Sequence, residues 1–150
     1  MIQKALFGAG CFWGVEEHFR TLKGVESTLV GYSGGNTKDP TYESVCYLNT
    51  GHAEVLQVDF NDEVISFESL VEEFWKCHDP TTLDRQGADI GRQYRSVIYY
   101  FNDTQKIIAE NSKEKHQVVF INQIVTEISE ADIFYRAEEY HQKYIQKSKI

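Results

Sequence analysis

The sequence predicts an α/β (α+β) fold, a single compact two-layer sandwich in which helices cover one mixed sheet. Strand-like and helix-like segments alternate along its 150 residues, and the helices are able to cover one face of a sheet. No repeat, low-complexity tract or Pro/Gly/Ser-rich linker divides the chain, so residues 1–150 are expected to form one catalytic domain. A chain of this size buries a substantial core without disulfides or a structural metal.

Lys4 to Phe7 reads as a short strand running into Gly8-Ala9-Gly10. Phe12, Val15, Phe19 and Leu22 then recur three or four apart with Glu16, Glu17 and Arg20 between them, which predicts a helix stopped by Gly24. Val25 to Tyr32 suits a second strand. Ser33-Gly34-Gly35-Asn36 and Asp39-Pro40 form a loop that opens a short helix at Thr41. Glu54, Leu56, Val58 and Phe60 alternate with Val55, Gln57 and Asp59, as in a half-buried strand whose apolar face is the even-numbered one.

Ser66 is an N-cap for a helix bearing Phe67, Leu70, Val71 and Phe74, and Asp79-Pro80 forbids its continuation. Between Pro80 and Arg95 lies a long polar stretch without a period. Such stretches are usually functional or disordered, and Leu83, Ile90 and Tyr94 predict an ordered one. Val97 to Phe101 is a strand, Asn102-Asp103 a turn and cap, and Thr104 to His116 a solvent-facing helix. Ile124 to Ile128 alternates again, a last helix includes Ala137 to Tyr144, and 146–150 is expected to be a mobile polar tail. The strand-helix-strand order points to this two-layer packing, and a ferredoxin-like core is expected.

A net charge of −8 and the lack of any Lys/Arg stripe exclude nucleic-acid binding by counterion release. No apolar run approaches the length of a membrane span, and the apolar stretch before Cys11 is too short and glycine-broken for a secretory signal. Three scattered cysteines, Cys11, Cys46 and Cys77, do not make a disulfide framework and fit a reducing cytoplasm. A monomer is expected.

Cys11 follows a strand and sits at the first turn of a helix, where unpaired N–H groups and the helix dipole favour a thiolate. A lone cysteine is more often a buried small hydrophobe, but the strand-turn-helix setting favours a reactive thiol. Gly8 and Gly10 resemble the start of a dinucleotide fingerprint, which fails where Trp13 stands in place of its third glycine. Glu54 shares the apolar register of its strand, so burial should raise its pKa and make it a general acid near neutrality; the bland alternative is a solvated strand-end glutamate.

His52-Ala53-Glu54 fits half of a zinc deaminase signature whose P-C-x-x-C partner is absent, and Cys77-His78 completes no ligand set, so no metal is expected. Most of the nine Tyr and nine Phe belong to the core. Tyr42 and Tyr94 lie where backbone order is limited and can donate hydrogen bonds to a polar oxygen without bearing charge. Phe12 and Trp13 adjoin the thiol and could wall an apolar pocket.

Gly10-Cys11-Phe12-Trp13-Gly14, Gly51-His52-Ala53-Glu54 and Gln93-Tyr94-Arg95-Ser96 closely resemble the peptide methionine sulfoxide reductase A family. The likeness continues through Gly31-Tyr32-Ser33-Gly34-Gly35, Thr41-Tyr42-Glu43, Phe74-Trp75, His78-Asp79-Pro80-Thr81 and Ala137-Glu138-Glu139-Tyr140-His141. The resemblance implies reduction of methionine S-sulfoxide, free or in proteins, on an α/β sandwich. It implies that Cys11 attacks sulfur, Glu54 protonates oxygen, Tyr42 and Tyr94 hydrogen-bond that oxygen, and Phe12 and Trp13 receive the methyl group, with Asp89 supporting the site.

Many relatives carry resolving cysteines in a C-terminal segment, and here none follows Cys77. No bound cofactor is expected, and the implied reductant is an external thiol, thioredoxin or glutathione with glutaredoxin, with Cys46 or Cys77 as internal alternatives. Two rival readings are a thiol hydrolase pairing Cys11 with His52 or His141, and a non-catalytic module that binds methionine-rich peptides.

Overall fold

A computed structural model describes residues 1–149. Its strands are β1 (Ile2–Ala9), β2 (Val25–Ser33), β3 (Ala53–Asn61), β4 (Arg85–Gln86), β5 (Asp89–Ile90), β6 (Ser96–Tyr100), β7 (Glu127–Glu130) and β8 (Tyr135–Arg136). Its helices are α1 (Phe12–Arg20), α2 (Tyr42–Tyr47), α3 (Phe67–Lys76), α4 (Asp103–Gln117) and α5 (Tyr144–Ser148).

Six strands form one sheet in the order β7-β6-β1-β3-β2-β8, and β4 pairs with β5 in a separate hairpin. Every pair in the large sheet is antiparallel except β6 with β7, so the sheet is mixed as expected. The inner order β6-β1-β3-β2, with α1 joining β1 to β2 and α3 between β3 and β6, is the ferredoxin-like core.

The even positions of β3 hold the main core, as the alternation predicts. Leu56, Val58 and Phe60 pack with Phe7 of β1, Val30 of β2, Phe12, Val15 and Phe19 of α1, and Leu70 and Phe74 of α3. The other face is covered too: Leu6, Val55, Val97 and Tyr99 form a second cluster against Ala131 and Phe134. The caps also follow the sequence. Thr41, Ser66 and Asn102 each accept a backbone N–H of the first turn, satisfying a donor that a helix start leaves unpaired.

Four expectations are corrected. Helix α1 ends at Arg20, and Gly24, at φ +99°, turns the chain into β2 rather than capping the helix. The strand expected over Ile124 to Ile128 begins only at Glu127, as β7, with Ile124 buried ahead of it. Leu83 and Ile90 do not order the Pro80–Arg95 stretch, since both are 69% exposed; the β4–β5 hairpin and a 3-10 turn at Arg92–Tyr94 do.

The fourth correction has the widest effect. Ala137 to Tyr144 is not a helix, because its hydrogen bonds are taken by the edge of β2. Ala137 N–H donates to Val30 O at 3.0 Å, and the Gln142 amide both accepts from Val30 N–H and donates to Val30 O at 2.9 Å. A 3-10 turn at Glu139–His141 and a left-handed Lys143, φ 54°, follow, and helix α5 starts only at Tyr144. Part of the tail expected at 146–150 therefore lies in α5, and Ile150 falls outside the described residues.

Candidate active site

Strand β1 delivers the chain to Gly10, whose φ of +96° requires glycine. A Cβ there would lie 2.8 Å from Gln86 Cγ, so the same glycine lets the β4–β5 hairpin approach. The next residue, Cys11, is the N-cap of α1 with a half-buried side chain that makes no capping bond.

Glu54 comes from β3, the neighbour of β1, and is 1% exposed. Its Oε1 accepts the N–H of Phe12, the residue after Cys11, at 3.2 Å. Its Oε2 is buried without a hydrogen-bond partner among the described residues. Burial pushes the carboxyl up to about 8, opposed by the Phe12 N–H and assisted by the charge of Asp89. That rise favours the acid form near neutral pH, while one buried oxygen is left without a partner among the described residues.

The expected lowering of the Cys11 pKa is corrected. Burial pushes the thiol up to about 11, and the charges of Glu54 and Asp89 add to this, whereas the N–H groups of Trp13 and Gly14 pull it down by less. Desolvation of a sulfur flanked by two carboxyl groups outweighs the helix N-terminus. Both shifts favour the protonated forms of the thiol and the carboxyl.

Tyr42 and Tyr94 converge from α2 and the 3-10 turn. Burial is the main cause that raises both phenols above their ordinary pKa, with Glu54 among the charges acting on each. Both hydroxyls are therefore permanent donors. They also favour the thiolate of half-buried Cys46, although burial holds that thiol above its ordinary value. Asp89 is exposed on the hairpin and acts on Cys11, Glu54 and Tyr94 through its charge.

Phe12 and Trp13 differ in burial. Phe12 is 1% exposed and its ring packs against Tyr32 and His141 inside the core. Trp13 is half-buried and stacks on Tyr144 with ring centroids 3.8 Å apart. Cys77 donates to the Phe74 carbonyl at 3.3 Å and burial pushes it up to about 12.

The family model for peptide methionine sulfoxide reductase matches residues 3–150. The chain belongs to that family. It is 57% identical over 148 residues to the reductase MsrA of Methanosarcina mazei, covering 97% of this chain and 70% of that protein. It is 54% identical to the chloroplastic reductase A4 of Arabidopsis thaliana, covering 97% of this chain and 56% of that protein. Among solved structures, reduced Mxr1 from Saccharomyces cerevisiae superposes with a TM-score of 0.94 at 37% identity, over 99% of this chain and 86% of that one. The methionine sulfoxide reductase A of Corynebacterium diphtheriae gives 0.89 at 36% identity, over 99% and 76%.

As a member of a reductase family the chain is an oxidoreductase. Of the two histidines in the rival hydrolase reading, His52 is engaged at both ring nitrogens and His141 at one. His52 accepts from Gly35 N–H through Nδ1 and meets the Thr37 carbonyl through Nε2, while Nδ1 of His141 is occupied by Trp13. Among the described residues no cluster of three or more His, Cys, Asp or Glu could hold a metal, and no helix is long and apolar enough to cross a membrane.

Sequence reasoning missed Glu138, whose carboxylate accepts the Tyr32 hydroxyl at 2.8 Å and the Tyr42 N–H at 2.9 Å and so ties α2 to the sheet. It also missed Tyr144 and the Trp13 to His141 contact. The run Ala137 to His141 was visible as a motif, but read as a helix it gave these side chains the wrong directions.

Proposed function

We propose that residues 1–150 act as one catalytic domain that reduces methionine S-sulfoxide, free or in proteins, to methionine, repairing oxidised proteins. The observation that carries this is the buried Glu54 carboxyl, with one unpartnered oxygen, a pKa that burial pushes up to about 8, and its other oxygen bonded to the N–H of the residue after Cys11.

A sulfoxide oxygen leaves sulfur only when protonated. Glu54 supplies the proton through Oε2, and Tyr42 and Tyr94 donate hydrogen bonds to the same oxygen. The protonated sulfoxide sulfur becomes electron-poor, which favours ionisation of Cys11 as it attacks. In net terms Cys11–SH and the sulfoxide give Cys11–SOH and the sulfide: sulfur of Cys11 is oxidised by two electrons, the substrate sulfur is reduced by two, the Glu54 proton ends on the sulfenic acid, and the thiol proton restores the Glu54 carboxyl. A first external thiol condenses with the sulfenate to a mixed disulfide and water, and a second thiol releases Cys11–SH.

Yeast Mxr1 has been solved in complex with Trx2, a structure to which this chain aligns with a TM-score of 0.69 at 28% identity over 95% of its length. That complex supports a dithiol protein of the thioredoxin type as the reductant, with glutathione and glutaredoxin as the other source of the same thiol chemistry. All three cysteines are free, which favours a reducing, cytoplasmic setting, and we take the protein to act as a monomer.

One equivalent of methionine S-sulfoxide without reductant should yield one methionine and a mass gain of one oxygen on Cys11. The R epimer should yield neither. Absence of methionine with the S epimer overturns the reading, and a dimedone adduct on Cys11 marks the sulfenate. A disulfide from Cys11 to Cys46 or Cys77 in place of the oxygen would identify an internal resolving thiol, and Cys46→Ser and Cys77→Ser separate the two.

Each phenol is expected to matter less than the carboxyl. Tyr42→Phe and Tyr94→Phe remove one donor to a partly charged oxygen, and each should lower kcat/KM about tenfold, with the double variant worse than either. Steady-state rates with dithiothreitol would check this, and an unchanged rate in both single variants would remove the phenols from the site.

A further inference from the structure

His141 is fully buried, yet it belongs to no step described above. Its Nδ1 accepts the indole N–H of Trp13 at 2.9 Å across 128 residues of sequence. Because that nitrogen is the acceptor, the proton of the neutral ring sits on Nε2, which is buried without a partner among the described residues. Four aromatic rings surround the imidazole, with centroids at 4.0 Å (Tyr140), 4.6 Å (Tyr42), 5.1 Å (Phe12) and 5.7 Å (Trp13). Burial lowers its pKa, although Glu138 opposes this, and a cationic ring would present a second donor to the indole.

The backbone that holds His141 is anchored on both sides. Glu138 bonds Tyr32 and Tyr42, Gln142 brackets Val30, and the Lys143 N–H donates to Glu16. The imidazole is thus fixed to the sheet, while Trp13 stands in the first turn of α1 and is only half-buried. A half-buried indole on a helix start has several staggered orientations, and a single hydrogen bond of fixed direction plus the Tyr144 stack selects one.

We infer that His141 is a positioning residue for substrate specificity: it fixes the plane of the Trp13 indole and thereby sets the width of the slot that takes the sulfoxide methyl group. This rests on the proposed reading that Trp13 contacts that methyl. A slot of fixed width admits methyl and resists a longer alkyl group, because one extra methylene must displace the ring.

The test compares His141→Asn, whose side-chain oxygen can accept near the position of Nδ1, with His141→Phe, which keeps an aromatic ring and loses the acceptor. In His141→Phe, KM for methionine S-sulfoxide should rise about tenfold with kcat changed less than about threefold, since binding rather than proton transfer is affected. The preference for methionine sulfoxide over ethionine sulfoxide should fall about fivefold. The Trp13 indole N–H resonance should shift and exchange faster with solvent, while that of Trp75, bonded to Ser112, should not move. His141→Asn should restore both the resonance and the preference to within about threefold of the parent.

An unaltered Trp13 resonance or an unaltered methyl-to-ethyl preference in His141→Phe overturns the inference. So does equal loss in Asn and Phe variants that unfold at the parent's temperature, since an acceptor would then be irrelevant. If His141→Phe fails to fold, His141→Asn against His141→Gln, which moves the acceptor outward, carries the same comparison. Trp13→Leu distinguishes the failures: no rise in KM there removes the methyl reading itself, whereas a rise there with a silent His141→Phe removes only the role of His141.

Discussion

Cys11→Ser is expected to eliminate sulfoxide reduction, lowering single-turnover formation of methionine by about 10⁵-fold or more. The loss is not a matter of nucleophile strength alone. The reaction leaves the enzyme two electrons poorer and one oxygen richer, and sulfur accommodates that as a sulfenic acid, whereas a serine oxygen has no stable counterpart. The fold should survive, because Cys11 is half-buried, its side chain makes no capping bond, and serine is a preferred N-cap residue. Mixing the variant with one equivalent of methionine S-sulfoxide and following methionine by mass spectrometry checks this. Turnover comparable to the parent would remove Cys11 from the reaction and end the assignment of the site.

Why the position of Cys11 was legible while its ionisation was not follows from what local sequence encodes. Gly8-Ala9-Gly10 before an apolar stripe at helical spacing fixes a strand, a turn and a helix start from neighbours alone. The pKa depends on Glu54 and Asp89, which arrive from β3 and the β4–β5 hairpin, and on how much water the assembled site excludes. Glu54 was readable for the opposite reason: its alternation with Leu56, Val58 and Phe60 states which face it shares, and that face is the main core. The helix read at Ala137 to Tyr144 failed because Gln142 and Ala137 satisfy the β2 edge at Val30, a partner more than a hundred residues away that no local pattern contains. With it went the directions of Glu138 and His141, the two side chains that hold Tyr42 and Trp13.

Glu54→Gln should lower kcat/KM by about 10³-fold, the range for loss of a positioned general acid. The amide still offers a hydrogen bond but has no proton to give. In the parent, kcat/KM should stay level from mildly acidic pH to about 8 and fall above it, as the carboxyl loses its proton in the free enzyme. A thiolate preformed before binding would give another shape. With the thiol held near 11 and the acid near 8, activity would climb with pH up to 8 and level off between the two values. At pH 7 that preformed species is about one part in 10⁴, so ionisation inside the complex, drawn by the protonated sulfoxide, is the lower path. The Gln variant should lose the limb near 8. Its stability separates chemistry from folding. The carboxyl is raised in the native state from 4.5 to about 8, so the folded protein holds more protons than the unfolded one in that window and its stability falls as pH rises through it. Glutamine carries no such burden, so the variant should melt at or above the parent temperature at pH 8 while being nearly inactive. A variant that is both inactive and markedly less stable there would show that Glu54 supports the fold rather than the proton transfer.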